Sequence, residues 1–320
     1  MELKWAYKAT HFQFKKMLND FFVYRGEMFK ISVIVTVYNN ENYIARALSS
    51  IQSQTFKNFE VLIIDDGSTD CSYNIANEFC KKNERWKIFR LKHEGISNAR
   101  IFGINNSKGE YLSFVDSDDF VEINFLKMLY EGIKGSQISI CNYKLHYRNS
   151  KFIFKNFLHY KSGTFDKEKI IKCLILNVLI KSYLWNKLFK RSLFNGVSVP
   201  DMCFEDKVMC IQLLLNAKKI TVIKDILYNY NRNIKSLTGR MDEKKLNDYV
   251  KSFEFVKFFI DSKGEYDKFS LYYKFSSFHF FFVSFRILFI QQLIIKTNFK
   301  KFFKSFFRIC QRIISVIKTN

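Results

Sequence analysis

Between Ile31 and Asn142 the chain alternates short continuous apolar runs with stretches in which apolar residues recur every three or four positions. ISVIVTVY, rich in β-branched residues and bounded by Asn39 and Asn40, predicts a strand covered on both faces. In NENYIARALSSIQSQ, Tyr43, Ile44, Ala47, Leu48 and Ile51 follow a helical period, with Asn40 placed to cap the helix. FEVLIID, WKIFRL, EYLSFVD and QISICNY predict further strands. CSYNIANEFCKK, SNARIFGINNS and INFLKMLYEGI predict the helices between them, the first capped by Asp70. After residue 143 the pattern is less regular, with helices predicted at 167–178 and 205–216 and a short strand at 220–223.

Strand–helix alternation with unbroken apolar strands implies right-handed crossovers and a doubly wound, mostly parallel α/β sheet. Ligands of such sheets bind at the carboxyl ends of the strands. Those ends carry Thr36 and Tyr38, then Asp65 and Asp66, then Asp116 and Asp118.

In VDSDD, Asp116 and Asp118 are two apart and so face one side of an extended chain, with Asp119 opposite in a structural role. Two carboxylates on one side suit a divalent ion shared with phosphate oxygens, or else form a solvated acidic turn into the helix near Glu122. In IIDDGSTD, Gly67 permits a sharp turn at Asp66. That carboxylate accepts from a nucleobase imide or ribose hydroxyl, or the segment is a plain Asx or Ser/Thr turn at Ser68, Thr69 and Asp70.

The run from ISVIVTVYNNEN through IIDDGSTD, then GISNAR, then GEYLSFVDSDD, strongly resembles glycosyltransferase family 2. The likeness is close over 31–142 and looser to 238, through YLWNKLFKRSLF, FEDKVM and YNYNRNIKSLT. It implies the nucleotide-binding GT-A fold and transfer of a sugar from a nucleoside diphosphate sugar, UDP-sugar favoured, to a hydroxyl. Thr36 and Tyr38 would line the nucleotide pocket, with Tyr38 packed on the base. Asp66 would read base or ribose, and Arg100 would lie near the phosphates or base. Asp116 would hold the ribose or the metal shell, and Asp118 would bind Mn²⁺ or Mg²⁺. Asp206 would take the acceptor proton, with Glu205 as its neighbour or an acceptor contact; read without the resemblance, the pair merely complements a helix N-terminus. Trp185 and Lys187 match a W-N-K motif, as acceptor wall and phosphate contact or as ordinary core, and Arg232 and Ser236 fall where relatives close a loop over the diphosphate.

The formal charge of +22 adds a second theme. From Lys268 onward there are ten Lys/Arg and no acid. On a helical wheel, residues 299–317 place eight Phe and Ile on the arc around Phe299, and Lys300, Lys301, Lys304, Arg308 and Arg312 opposite. This basic amphipathic helix reads as in-plane binding to an anionic membrane, or as a helix packed on the catalytic domain. No nucleic-acid-binding motif accompanies the charge. Seven cysteines without a C-x-x-C pair suggest reduced thiols in a cytosolic protein. The five histidines, His93 among them, read as structural or exposed. No G-x-G-x-x-G or Walker loop is present, and no run is long and apolar enough for a membrane span.

The expected layout is a basic N-terminal extension (1–30), a GT-A catalytic domain (31–235, with a nucleotide-binding half at 31–142 and an acceptor half at 143–235) and a basic helical C-terminal region (236–320). The expected protein is an inverting, metal-dependent hexosyltransferase. It would act on a glycan or lipid-linked acceptor in bacterial surface-glycan synthesis, peripheral on the inner face of the cytoplasmic membrane. Two other readings are a sugar nucleotidyltransferase on a related sheet, whose Gly-rich basic loop is missing from YNNEN, and a non-catalytic membrane-binding module.

Overall fold

A computed structural model describes residues 29–147, 153–155, 161–177, 179–232, 243–274 and 276. The amphipathic tail at 299–317, Ser236 and the extension before residue 29 lie outside the described residues.

The first half follows the sequence pattern closely. Strands β1 (Ile31–Val37), β2 (Phe59–Asp65), β3 (Trp86–Arg90) and β4 (Tyr111–Asp116) alternate with helices α1 (Glu41–Gln52), α2 (Ser72–Lys81) and α3 (Ile96–Asn106). Their pairing is parallel in the order β3-β2-β1-β4, as expected for crossover connections. Every residue of β2 is buried, which explains its unbroken apolar run.

The second half extends this sheet. After β5 (Phe120–Val121) and α4 (Phe125–Gly132) come β6 (Ile138–Tyr147), β7 (Ile153–Lys155), β8 (Gly163–Asp166) and α5 (Lys167–Ile175). Then follow β9 (Lys187–Lys190), a 3₁₀ turn (Arg191–Phe194), α6 (Glu205–Asn216), β10 (Lys219–Arg232) and α7 (Glu243–Ser262). The sheet runs β3-β2-β1-β4-β9-β6-β10-β5, with β7 on β6 and β8 on β10. β9 is antiparallel to both neighbours, so it links the four parallel strands β3-β2-β1-β4 to the parallel pair β6-β10. β10, expected only at 220–223, is a 14-residue strand. Register shifts near Ile226 and alternating Tyr and Asn residues hide its length from a simple apolar count.

The sheet is covered on both faces. Val33, Val35, Val61 and Val115 pack with α1, α2 and α4. Ile34, Leu62, Ile64 and Phe114 pack with α3, α5, α6 and α7, the last through Val250, Phe253, Val256 and Ile260. Residues 250–273 thus belong to the same core as the catalytic sheet.

One local expectation is corrected. The Asn40 side chain does not cap α1; its Nδ2 donates to Ser117 Oγ at 2.7 Å. The cap comes from Asp70, whose Oδ2 accepts from Glu41 N at 3.0 Å while Oδ1 accepts from Ser72 N at 2.9 Å. Glu41 returns the contact, its Oε2 accepting from Cys71 N at 3.0 Å. Two helix starts side by side at one sheet edge let one carboxylate serve both.

Candidate active site

The carboxyl edge of the sheet collects the acids that the sequence singled out. β1 and β4 pair so that Thr36 lies beside Asp116. The turn after β4 is locked to β10. The Tyr228 hydroxyl accepts from Asp116 N at 3.1 Å and donates to Asp119 Oδ2 at 2.8 Å. Asn231 N donates to Asp119 Oδ1 at 2.7 Å, and Asn231 Nδ2 donates to the Asp118 carbonyl at 2.5 Å. Asp119 is therefore buried and spent on the scaffold, away from the face carrying Asp116.

Among the described residues no side chain pairs with the Asp118 carboxylate. The nearby Arg46 bonds the Asp118 carbonyl, at 3.1 Å, and stacks on Phe120. Burial, then the neighbouring Asp116 charge, pushes the Asp118 carboxyl up to about 6. A carboxylate disfavoured in this way is a site that gains from a cation.

Arg100, 5% exposed on α3, is the hub of the edge. Its guanidinium bonds Glu205 Oε1 and reaches Asp116 Oδ1 at 3.4 Å. Glu205 and Asp206 open α6, so helices from distant parts of the chain bring their acids to β4. Burial raises both carboxyls above their ordinary range, against the pull of Arg100. Asp206 Oδ1 accepts from Lys207 N at 2.8 Å, and among the described residues no ion pair reaches its carboxylate.

Across the edge, Asp66 accepts from Glu94 N at 2.9 Å and Gly95 N at 3.0 Å, and its Oδ2 lies 3.0 Å from His93 Nδ1. This draws the loop after β3 onto Gly67, whose φ of 75° and close neighbours leave no room for a side chain. Tyr38 stays 44% exposed, its ring stacked on His93 with centroids 4.0 Å apart. Sequence reading gave His93 no special role. Its place just past the carboxyl end of β3, before Glu94-Gly95, was the available signal.

The W-N-K segment sits deeper than a ligand contact. Trp185 is 4% exposed, stacked on Tyr228 at 4.2 Å and on Tyr183 at 4.6 Å. Lys187 is fully buried, its ammonium bonded to the carbonyls of Lys181, at 3.0 Å, and Tyr183, and to Asn186 Oδ1 at 2.8 Å. Its charge stitches the loop before β9 together. Tyr228, by contrast, was not singled out in the sequence and proves to be the bolt between the acidic turn and β10.

For a divalent ion the edge offers the Asp116–Asp118 pair. Among the described residues no third His, Cys, Asp or Glu joins them as a ready ligand. Two carboxylates, one held up by its neighbour's charge, fit a hard cation that completes its shell with substrate phosphate and water.

A mixed sheet with a parallel first half, and with acids and an arginine converging at its carboxyl edge, is an α/β fold of the GT-A type. The sequence profile of glycosyl transferase family 2 matches residues 32–198, just over half of the 320 residues, and the chain belongs to that family as a glycosyltransferase. It is 28% identical over 246 residues to the putative glycosyltransferase EpsH of Bacillus subtilis, covering 75% of this chain and 71% of the relative. It is 27% identical over 275 residues to a cholesterol galactosyltransferase of Borreliella burgdorferi, covering 82% and 76%. The fold matches S. aureus TarS 1–349 in complex with UDP-GlcNAc at a TM-score of 0.71 and 23% identity, over 90% of this chain and 81% of that one.

Proposed function

We propose that this chain transfers a sugar from a UDP-sugar to a hydroxyl acceptor by single displacement with inversion. The observation that carries the reading is the gathering of Asp116, Glu205 and Asp206 around buried Arg100 at the carboxyl edge of the sheet, with Asp118 beside Asp116. The UDP-GlcNAc complex of a protein with the same fold supports the donor class.

Tyr38, Thr36 and Asp66 bind the nucleoside at the carboxyl ends of β1 and β2. Asp118, with Asp116, would hold a Mn²⁺ or Mg²⁺ ion, a choice supported by a GT-A neighbour, GalNAc-T7, described with UDP, GalNAc and Mn²⁺. Such an ion neutralises charge on the departing diphosphate. Asp206 takes the proton of the acceptor hydroxyl as that oxygen bonds to the anomeric carbon and the bond to the diphosphate breaks. Burial raises its pKa above the ordinary aspartate range, which makes it a stronger base. Glu205 fixes Arg100, and through it Asp116, in register with the base. The motifs supply one base and no second nucleophile, which supports inversion.

The acceptor is a glycan or lipid-linked intermediate of bacterial surface-glycan synthesis. A relative named for transferring galactose to cholesterol supports a lipid acceptor. Among the described residues no helix is long and apolar enough to cross a membrane, and the basic tail holds the enzyme peripherally on the anionic inner face of the cytoplasmic membrane.

The test is a donor hydrolysis and transfer screen over UDP-, GDP- and dTDP-sugars with Mn²⁺, with Asp118→Ala as the blank. Metal-dependent turnover of a UDP-sugar is expected. Failure of every nucleoside diphosphate to stabilise the protein or to turn over would falsify the proposal.

A further inference from the structure

The helix carrying Glu205 and Asp206 begins awkwardly. No side chain caps it, and Phe204 before it takes φ 68° and ψ 26°, left-handed backbone that a bulky residue adopts only when its surroundings impose it. The surroundings that do so come from one end of α7. Asp248 Oδ2 accepts from Cys203 N at 3.1 Å. The Tyr249 ring meets Phe204 edge-on, with centroids 4.9 Å apart. Lys207 turns away from solvent, at 7% exposure, and its Nζ lies 3.0 Å from the centroid of Phe253 and 4.7 Å from that of Tyr249.

Tyr249 and Phe253 are one helical turn apart and pack edge-on at 5.2 Å, so they present adjoining faces to one ammonium. Among the described residues no hydrogen-bond acceptor meets that ammonium; burial pulls its pKa well below the lysine range, and the rings and the neighbouring Asp206 charge are what favour its charged form. α7 thus holds residues 203, 204 and 207, bracketing both acids. Like the acids it brackets, α7 lies beyond the stretch matched by the family profile, 32–198.

We infer that Lys207, clamped by Tyr249 and Phe253, is a positioning residue that sets the direction in which Asp206 faces the acceptor, and that α7 is thereby a working part of the transferase. The inference rests on Asp206 as the base. A helix start displaced by about 1 Å is enough to cost a base about 100-fold in rate.

The experiment measures transfer kcat, donor KM and UDP affinity of the full chain for Lys207→Met, Lys207→Arg and Phe253→Leu, with Asp206→Asn alongside. Lys207→Met is expected to lose at least about 10-fold in kcat while UDP affinity and donor KM stay at wild-type values. Lys207→Arg, which keeps a cation for the rings, should recover most of that loss. Phe253→Leu, which leaves every charge in place, should show the same kcat-only defect if Lys207→Met does not fold. Unchanged kcat in Lys207→Met, parallel loss of UDP binding, or no rescue by arginine would each overturn the clamp. Full transfer by Asp206→Asn would instead remove the base assignment on which the clamp depends, so the two failures are told apart.

Discussion

The two edges of the sheet handle buried charge in opposite ways. At the amino edge, Glu60 is 2% exposed, yet its Oε1 accepts from Ser32 Oγ at 2.7 Å and Lys108 N at 2.5 Å. Ser32 Oγ in turn accepts from Gly109 N at 2.7 Å, and the Gly109 carbonyl accepts from Arg191 Nε at 2.6 Å. A Cβ at Gly109 would fall 2.5 Å from Ser32 N, so the network closes on itself with no room for anything else. At the carboxyl edge, Arg100 serves Glu205 and Asp116, and the carboxylates of Asp118 and Asp206 are left without an ion pair among the described residues. A satisfied cluster is architecture, whereas one short of positive charge is prepared for a ligand that brings it.

The comparison breaks most visibly at Asp206. Asp206→Asn should cut transfer by about 100- to 10,000-fold while UDP still binds, measured by transfer kinetics beside calorimetric titration; retained transfer would put the base elsewhere. At the other edge, Glu60→Ala strands the buried Ser32 hydroxyl and the part-buried Lys108 N–H and should lower unfolding free energy by about 1–3 kcal/mol, with kcat per folded molecule unchanged. A loss of activity there beyond the loss of fold would erase the distinction between the edges.

The smallest effect is the sharpest. Asp118 has a folded pKa of about 6 against an ordinary 3.8. A carboxyl raised on folding destabilises the folded state at pH values above its folded pKa, and this penalty fades as pH falls from about 6 toward 3.8. Asp118→Asn should therefore stabilise the metal-free protein by roughly 1–2 kcal/mol at pH 7.5, with the gain shrinking to nothing near pH 4, followed by denaturant titration across that range. Metal-dependent transfer should be lost in the same variant. A destabilised Asp118→Asn at neutral pH would mean that this acid is as well satisfied as Glu60.

Much of this was legible in the chain. The apolar runs at 31–37, 59–65 and 111–116 and the helical periods between them give the first half of the fold, because burial on both faces leaves a mark on every residue of a strand. Asp116 and Asp118 were legible as a same-sided pair, and Asp66 as a turn acid. The full length of β10 was not, since its Tyr and Asn residues pack against aromatics and polar partners rather than forming an apolar run. The antiparallel insertion of β9 between β4 and β6 also leaves no periodic trace, because a four-residue strand is too short to show one.

The sequence by itself determined the alternation of strands and helices and the chemical kind of each group at the carboxyl edge, since both follow from local periodicity and residue type. Only the tertiary structure decided the partnerships: Arg100 shared by Asp116 and Glu205 across 105 residues of chain, Asp70 capping α1 in place of Asn40, Tyr228 bolting the acidic turn, Lys207 buried between two rings. Charge pairing and burial depend on distance in space. A linear chain does not state that distance for residues so far apart.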